Sequence, residues 1–487
     1  MTGDAAREIT LATDLRAALV AADFTYEAVA DLLGPQAHRA LSRNETTPGV
    51  RRTADGSALS TLTRLFLLQA PTTHEEAERA LPGLVDRLCN AGLLEQSVGE
   101  VAARMDCRPY SSDDVDLWVV SDLTPGLDGA PTRVGSDHVL GISSASTSLA
   151  QLTVRDEVGR ALDLGTGCGV QALHLATHAT EVVATDVNQR ALWMTRFNAA
   201  LNGVEVQVRE GSFFEPVAGE LFDLIATNPP FVISPATGER LVYRDSGLPG
   251  DRVVEDIVRA APAHLTERGL CQILANWSIV RGSDWDERLA SWLSDDCDAL
   301  VIQREVIDPS EYVELWLKDE GVHGTPAYPR RYDTWLSWFD EQGIEGVGFG
   351  WINLRAGGTG RHRLEEWRYD VEQPIGPAIA DHFTATRSEV ALTSHLVARP
   401  DVLQETQGPP GAQDPATIVV RQQRGFRRAR QVDTVEAALI GASDGDLSVG
   451  QLLDAVAELT GADPDRLRST SLPVVRELVD EGFLTTT

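Results

Sequence analysis

One segment constrains this chain more than any other: Ala161-Leu-Asp-Leu-Gly-Thr-Gly-Cys-Gly-Val170, an apolar run that enters a glycine turn and leaves as the start of a helix. Glycine lets the backbone pass close to a ligand because no Cβ stands in the way. Dinucleotide-binding folds prefer G-x-G-x-x-G, in which the helix N-terminus holds a pyrophosphate. Here Gly165, Gly167 and Gly169 stand in G-x-G-x-G spacing, with Asp163 two residues before the first glycine and Thr166 between the first two. Around this turn, short β-rich runs at 161–164, 182–186, 204–209, 222–227, 270–276, 299–304 and 346–354 alternate with helical segments such as 189–201 and 252–265. Strand–helix alternation predicts an α/β fold with a doubly wound parallel sheet.

The glycine spacing suits S-adenosylmethionine (SAM), and residues 163–169 resemble the first motif of class I SAM-dependent methyltransferases. The resemblance implies a seven-stranded Rossmann-like sheet, a glycine loop under the methionine part of the cofactor, and an acid after the second strand that binds the ribose hydroxyls. Asp186 stands where that acid belongs, about twenty residues after the glycines, with Val187 and Asn188 beside it. Many members carry Gly-Asp after the third strand. This chain has Gly211-Ser212, so Ser212 is the candidate for the adenine contact and Phe213 for packing on its face. Thr147, in Val139-Leu-Gly-Ile-Ser-Ser-Ala-Ser-Thr-Ser-Leu149, is the expected neighbour of the methionine end.

The fourth strand runs into Asn228-Pro-Pro-Phe231. This resembles the motif of methyltransferases that act on nitrogen attached to a planar conjugated group. The delocalised lone pair of such a nitrogen makes it a poor nucleophile. The Asn228 side-chain carbonyl and the Pro229 backbone carbonyl can each accept one N–H, holding the lone pair toward a methyl donor. Neither Pro229 nor Pro230 has an N–H to compete, and Phe231 can stack on the planar group. Catalysis is then alignment plus electrostatic stabilisation, without a strong base. The segment through Pro235 is similar to that of release-factor glutamine methyltransferases, which implies a protein glutamine side chain as substrate. Ribosomal RNA and DNA base N-methyltransferases share Asn-Pro-Pro-Phe, so an exocyclic amino group, adenine N6 or guanine N2, is the alternative. A non-catalytic SAM-binding regulator is the third reading.

Charge bears on that choice. The chain carries 42 Lys+Arg against 73 Asp+Glu, a net −31, with Lys318 its only lysine. So acidic a body repels polyanions unless a basic patch intervenes. One such patch exists: Arg421, Arg424, Arg427, Arg428 and Arg430 fall within ten residues around Phe426. A basic hairpin there could grip phosphates while Phe426 stacks a base, or its arginines could neutralise the protein's own carboxylates. The five cysteines are scattered without a Cys-x-x-Cys pair, which predicts free thiols and no metal site. Without a signal-peptide pattern or an apolar stretch of about 18 residues, a cytoplasmic protein with no membrane contact is expected.

The flanks are separate units. Residues 84–94 and 474–484 align without a gap, each a helix, a glycine (Gly92, Gly482) and a strand start. That is the third helix and wing strand of a winged-helix module, read either as a nucleic-acid reader or as a packing module. Residues 42–56 are expected to be a loop or hairpin, and 404–415 a linker. The eight tryptophans from Trp277 to Trp367 are expected to fill the core and domain contacts rather than line a stacking channel. The expected division is a winged-helix-like domain at 1–125, a methyltransferase domain at 134–370, and a C-terminal region at 371–487 with the basic hairpin and a second winged-helix-like module.

Overall fold

The computed structural model describes residues 3–112, 115–130, 135, 137–230, 232–235, 248–410 and 415–486. Helices Gly3–Ala21 and Tyr26–Leu41 bury Leu15, Leu19, Val29 and Leu33 in a core shared with the helix Gln189–Asn202. The expected loop at 42–56 is broken by a helix, Thr47–Arg52, whose first turn holds a proline with φ already helical. Helix Ala58–Leu62 continues through the wider turns of Thr63–Leu67. Strand β1 Thr72–Thr73, helices His74–Ala80 and Val85–Asn90, then β2 Leu94–Ser97 and β3 Glu100–Ala103 follow, in a sheet of order β1-β3-β2. A hairpin of β4 Met105–Ser112 and β5 Val115–Asp122 leads to the central domain.

There the apolar runs become one sheet: β6 Val158–Leu164, β7 Ala179–Asp186, β8 Gln207–Glu210, β9 Phe222–Thr227, β10 Leu265–Val280, β11 Cys297–Ile307, β12 Ile344–Ala356 and β13 His362–Glu366. The order is β13-β11-β12-β10-β9-β6-β7-β8, with β12 antiparallel to both its neighbours. The sheet therefore has eight strands rather than the expected seven. The extra strand, β13, is half-buried and polar, so it carries no apolar alternation to betray it. Its turn depends on Asp298, whose carboxylate accepts from the Thr359 and Arg361 amides, and on Gly358, where a Cβ would lie 2.4 Å from the Asp298 amide. Of the eight tryptophans, Trp277, Trp292, Trp335 and Trp351 are buried as expected, whereas Trp285, Trp316, Trp338 and Trp367 are half-buried and Trp316 lines a cavity.

The C-terminal region opens with helix Gly376–Arg387 and β14 His395–Ala398. The first part of the expected linker, 404–407, instead lies in β15 Val402–Gln407, paired along its length with β16 Thr417–Gln422, which pairs in turn with β17 Ala429–Val432, while 411–414 lie outside the described residues. Helix Thr434–Ala442, β18 Asp444–Ser448, helices Val449–Thr460 and Pro464–Asp480, and β19 Leu484–Thr486 complete the chain. The sheet order β18-β14-β19 mirrors β1-β3-β2, with β14 from earlier in the chain filling the middle place. Gly92 and Gly482 share a φ of 78°, and Leu88 and Leu478 are both fully buried. Among the described residues, no helix is long and apolar enough to cross a membrane, and all five cysteines are free.

The basic hairpin is not a free phosphate grip. Arg421 pairs with Glu405 and Arg424 with Glu372, each at 3.0 Å, and Arg430 reaches Glu436, Glu477 and Glu481. Arg428, 7% exposed, forms a two-pronged pair with Glu365, and its guanidinium lies 4.8 Å from the ring centres of Trp367 and Phe426. Phe426 is itself buried, so it cannot stack a base. Only Arg427 of the five is exposed with no ion pair assigned to it. Four of the arginines thus neutralise the protein's own carboxylates: Glu365 of β13, Glu477 of the last helix, and Glu372, Glu405, Glu436 and Glu481 of the C-terminal region converge on the hairpin. Burial alone would raise Glu365, but the two arginines beside it, Arg428 foremost, hold its carboxyl below the usual range. Arg428→Ala leaves that carboxylate buried without its partner and should cost about 3 kcal/mol in chemical denaturation; a loss below about 1 kcal/mol would show that the pair is dispensable.

Candidate active site

The glycine turn joins β6 to the helix Val170–Leu175. Gly165, Gly167 and Gly169 have φ of 76°, 55° and 84°, the left-handed region that other residues avoid. Their surroundings differ. A Cβ at Gly165 or Gly167 would meet nothing within 4 Å, so open space lies beside the backbone there. At Gly169 it would meet Thr195 at 3.0 Å, so this glycine serves packing against the helix Gln189–Asn202 and does not face the cavity. Asp163 holds the turn from beneath: one carboxyl oxygen accepts from Thr166 Oγ1 at 2.6 Å and from the Ala172 amide at 2.9 Å.

The open space belongs to a cavity of about 1110 Å³ at the C-terminal ends of the parallel strands, where the chain reverses direction across the sheet between β6 and β9. It is lined by Asp163, Gly165, Thr166, Gly167, Asp186, Val187, Asn188, Ser212, Phe213, Asn228, Pro229 and Pro230. Phe231 lies outside the described residues. Thr147 is not on the wall: its hydroxyl donates to the Ser143 carbonyl at 3.2 Å, while Ser143, Ser144, Ser146 and Ser148 line the cavity instead. Ser143 caps the helix Ser144–Leu152, and this sets which face of the serine run is presented.

Asp186 ends β7. Its Oδ2 accepts from the Gly167 amide at 2.9 Å and its Oδ1 from the Asn188 amide at 2.8 Å, which ties the acid to the glycine turn. Burial pushes its carboxyl above the ordinary range, against the pull of those amides. Phe213 sits at a φ of 45°, strained for an aromatic residue, and its carbonyl accepts from Thr185 Oγ1 at 3.4 Å.

Asn228 follows β9, whose end is fixed to β6 by Thr227 Oγ1 donating to the Leu164 carbonyl at 2.7 Å. Its Oδ1 is buried and has no hydrogen-bond partner among the described residues. A buried acceptor left unsatisfied costs about 1–3 kcal/mol, a penalty an incoming donor would remove. Beyond the turn, the Ile233 amide donates to Tyr312 Oη at 2.8 Å, and Asn276 Nδ2 donates to the same oxygen at 3.1 Å. Tyr312 is fully buried on the helix Pro309–Asp319, inserted between β11 and β12. It clamps the chain leaving the motif. Neither Tyr312 nor the far wall of the cavity, with Leu274, Glu305, Leu315, Trp316 and Phe349, was legible in sequence, since no spacing rule links these elements to the motif.

The residues present fit a SAM-sized ligand: glycines with free space before them, a carboxylate at the next strand end, and an orphaned acceptor at the far side of one continuous cavity. Among the described residues, no group of acid, histidine and cysteine side chains could hold a metal ion.

Burial pushes the Asp163 carboxyl up to about 7. The folded state therefore retains a proton that the unfolded chain releases near 3.8, so Asp163 subtracts stability progressively as pH rises from about 4 to about 7, and no further above that. Denaturation midpoints of the wild type relative to Asp163→Asn should fall across that window and then level. A difference independent of pH would refute the assignment.

Residues 140–283 match the family described as methyltransferase small domain, and 21–104 and 380–486 each match a domain of unknown function. The chain is 35% identical over 131 residues to a release factor glutamine methyltransferase of Xylella fastidiosa, covering 24% of this chain and 47% of that protein. Against the release factor glutamine methyltransferase of Deinococcus radiodurans the identity is 39% over 125 residues, 24% and 45% of the two chains. It is also 33% identical over 171 residues to the ribosomal RNA small subunit methyltransferase C of Cronobacter sakazakii, 34% and 42% of the two. The chain thus spans about half the length of these relatives.

Proposed function

We propose that this chain is a SAM-dependent N-methyltransferase acting on the side-chain amide of a protein glutamine. The orphaned Asn228 Oδ1 in the wall of the cavity carries the reading. Bound SAM supplies an electrophilic methyl group on a sulfonium. The chain's own residues do the rest. Gly165 and Gly167 let the cofactor lie against the backbone, Asp186 with Val187 and Asn188 receives the ribose, and Ser212 and Phe213 flank the adenine. Asn228 Oδ1 accepts one amide hydrogen and the Pro229 carbonyl the other, turning the nitrogen's lone pair toward the methyl. Pro229 and Pro230 stiffen the turn. The nitrogen gives up one proton as its new bond to carbon forms, and solvent takes it.

Charge favours a protein over a nucleic acid. The described lining includes Asp137, Asp163, Asp186, Glu305 and Asp319 and no lysine or arginine. Phosphates would find no partner on it, and the arginine hairpin is largely occupied by acids. The flanking units, 1–125 and 371–487, are read as winged-helix-like modules that meet the macromolecule carrying the glutamine, around a methyltransferase domain at 134–370. Five free thiols suit a reducing cytoplasm.

Asp186→Ala should weaken SAM binding at least about tenfold in calorimetry, and an unchanged affinity would refute the ribose role. Asn228→Ala should keep SAM affinity and lose about a hundredfold in kcat; full turnover would refute the lone-pair mechanism. In lysate given tritiated-methyl SAM and the wild-type enzyme, label should disappear on protease treatment and survive nuclease. The reverse pattern would establish a base amino group as the acceptor.

A further inference from the structure

We propose that strand β5 of the N-terminal unit backs one wall of the cofactor site, and that Asp122, its last residue, is a positioning residue for SAM. The proposal rests on the cofactor reading above. The cavity lining includes Asp137, His138, Val139, Leu140 and Gly141, a segment that belongs to no helix or strand and needs an external anchor. Asp122 provides it. Its Oδ2 accepts from the Val139 amide at 2.8 Å, and its own amide donates to the Val139 carbonyl at 3.1 Å, so both polar groups of one wall residue are held by one strand residue. At Gly141 a Cβ would lie 2.4 Å from Ser121 Oγ, so the segment is pressed against β5.

The same carboxylate reaches the ribose side. Arg190 Nε donates to Asp122 Oδ1 at 3.0 Å and Oδ2 at 2.9 Å, and its Nη2 also meets Oδ1. Arg190 lies in the first turn of the helix Gln189–Asn202, capped by Asn188, which bonds both Asp186 and the Asp137 carbonyl. Asp122 is only 12% exposed, so solvent screens this junction weakly.

β5 itself is fastened to the central domain by two asparagines one helical turn apart. Asn202 bonds the amide and carbonyl of Trp118, and Asn198 those of Val120, at 2.8–2.9 Å. The amides take the place of a neighbouring strand. Asn198 Nδ2 also donates to the Cys168 carbonyl inside the glycine turn at 2.8 Å. One strand of the N-terminal unit therefore sets the outer wall, the start of the ribose-side helix and one carbonyl of the glycine turn.

The test compares full-length wild type with Asp122→Ala and Asp122→Asn by SAM calorimetry, steady-state kinetics and ligand-free hydrogen exchange, at a temperature where all three are folded. Asp122→Ala should weaken SAM at least about tenfold, with KM for SAM rising more than kcat falls. Asp122→Asn, which still offers an oxygen to the Val139 amide, should recover part of the affinity, and the Val139 amide should exchange faster in the alanine variant. Wild type that binds SAM alongside two variants with its affinity would overturn this proposal alone. Wild type that fails to bind would overturn the cofactor reading together with it.

Discussion

A buried carboxyl under a glycine turn is the constraint on which the rest of this site depends. Asp163 ends β6 and binds Thr166 and the Ala172 amide, which fixes how the chain passes from strand to helix. Once the turn is set, the Gly167 amide meets Asp186 across the strand ends, and two neighbouring carboxyl groups come to share one rim. Burial raises both, and Asp186 raises Asp163 a little further. With its carboxyl pushed up to about 7, Asp163 is partly protonated near neutral pH, which eases that conflict.

The other side of the cavity rests on a different principle. Asn228 keeps an acceptor buried and, among the described residues, unpaired, which a fold tolerates only where the surroundings leave it no escape. The clamp is built from distant chain: Thr227 is bonded to β6, and the stretch after the motif hangs from Tyr312, some eighty residues on in an inserted helix. The rigidity of the turn comes from two prolines, but its placement comes from these tertiary bonds.

Charge shows how far composition can mislead. A dense arginine segment in a strongly acidic chain has the look of a nucleic-acid grip. In the folded protein its side chains are drawn inward and sideways to Glu365, Glu372, Glu405, Glu436, Glu477 and Glu481. Arg428 joins the hairpin to the central sheet and Arg430 joins it to the last helix, while Arg421 and Arg424 pair within the C-terminal region. Much of the basic density therefore serves cohesion between units.

What the sequence determined by itself is what depends on neighbours along the chain. The glycine turn, the acid at the end of the next strand and the Asn-Pro-Pro turn are local patterns, and each landed where its spacing required. The gapless match of residues 84–94 to 474–484 likewise became the same helix, left-handed glycine and strand start at both ends. The tertiary structure decided everything whose partner lies far away in sequence. A polar strand, β13, extended the sheet because Asp298 turned the chain back. β14 took the middle place of the C-terminal sheet, between β18 and β19, and 404–407 paired as a strand where composition read as linker. Serines 143, 144, 146 and 148, not Thr147, reached the cavity because the helix cap chose the face. Hydrogen bonds and ion pairs between distant residues carry no periodicity, so only the folded chain could reveal them.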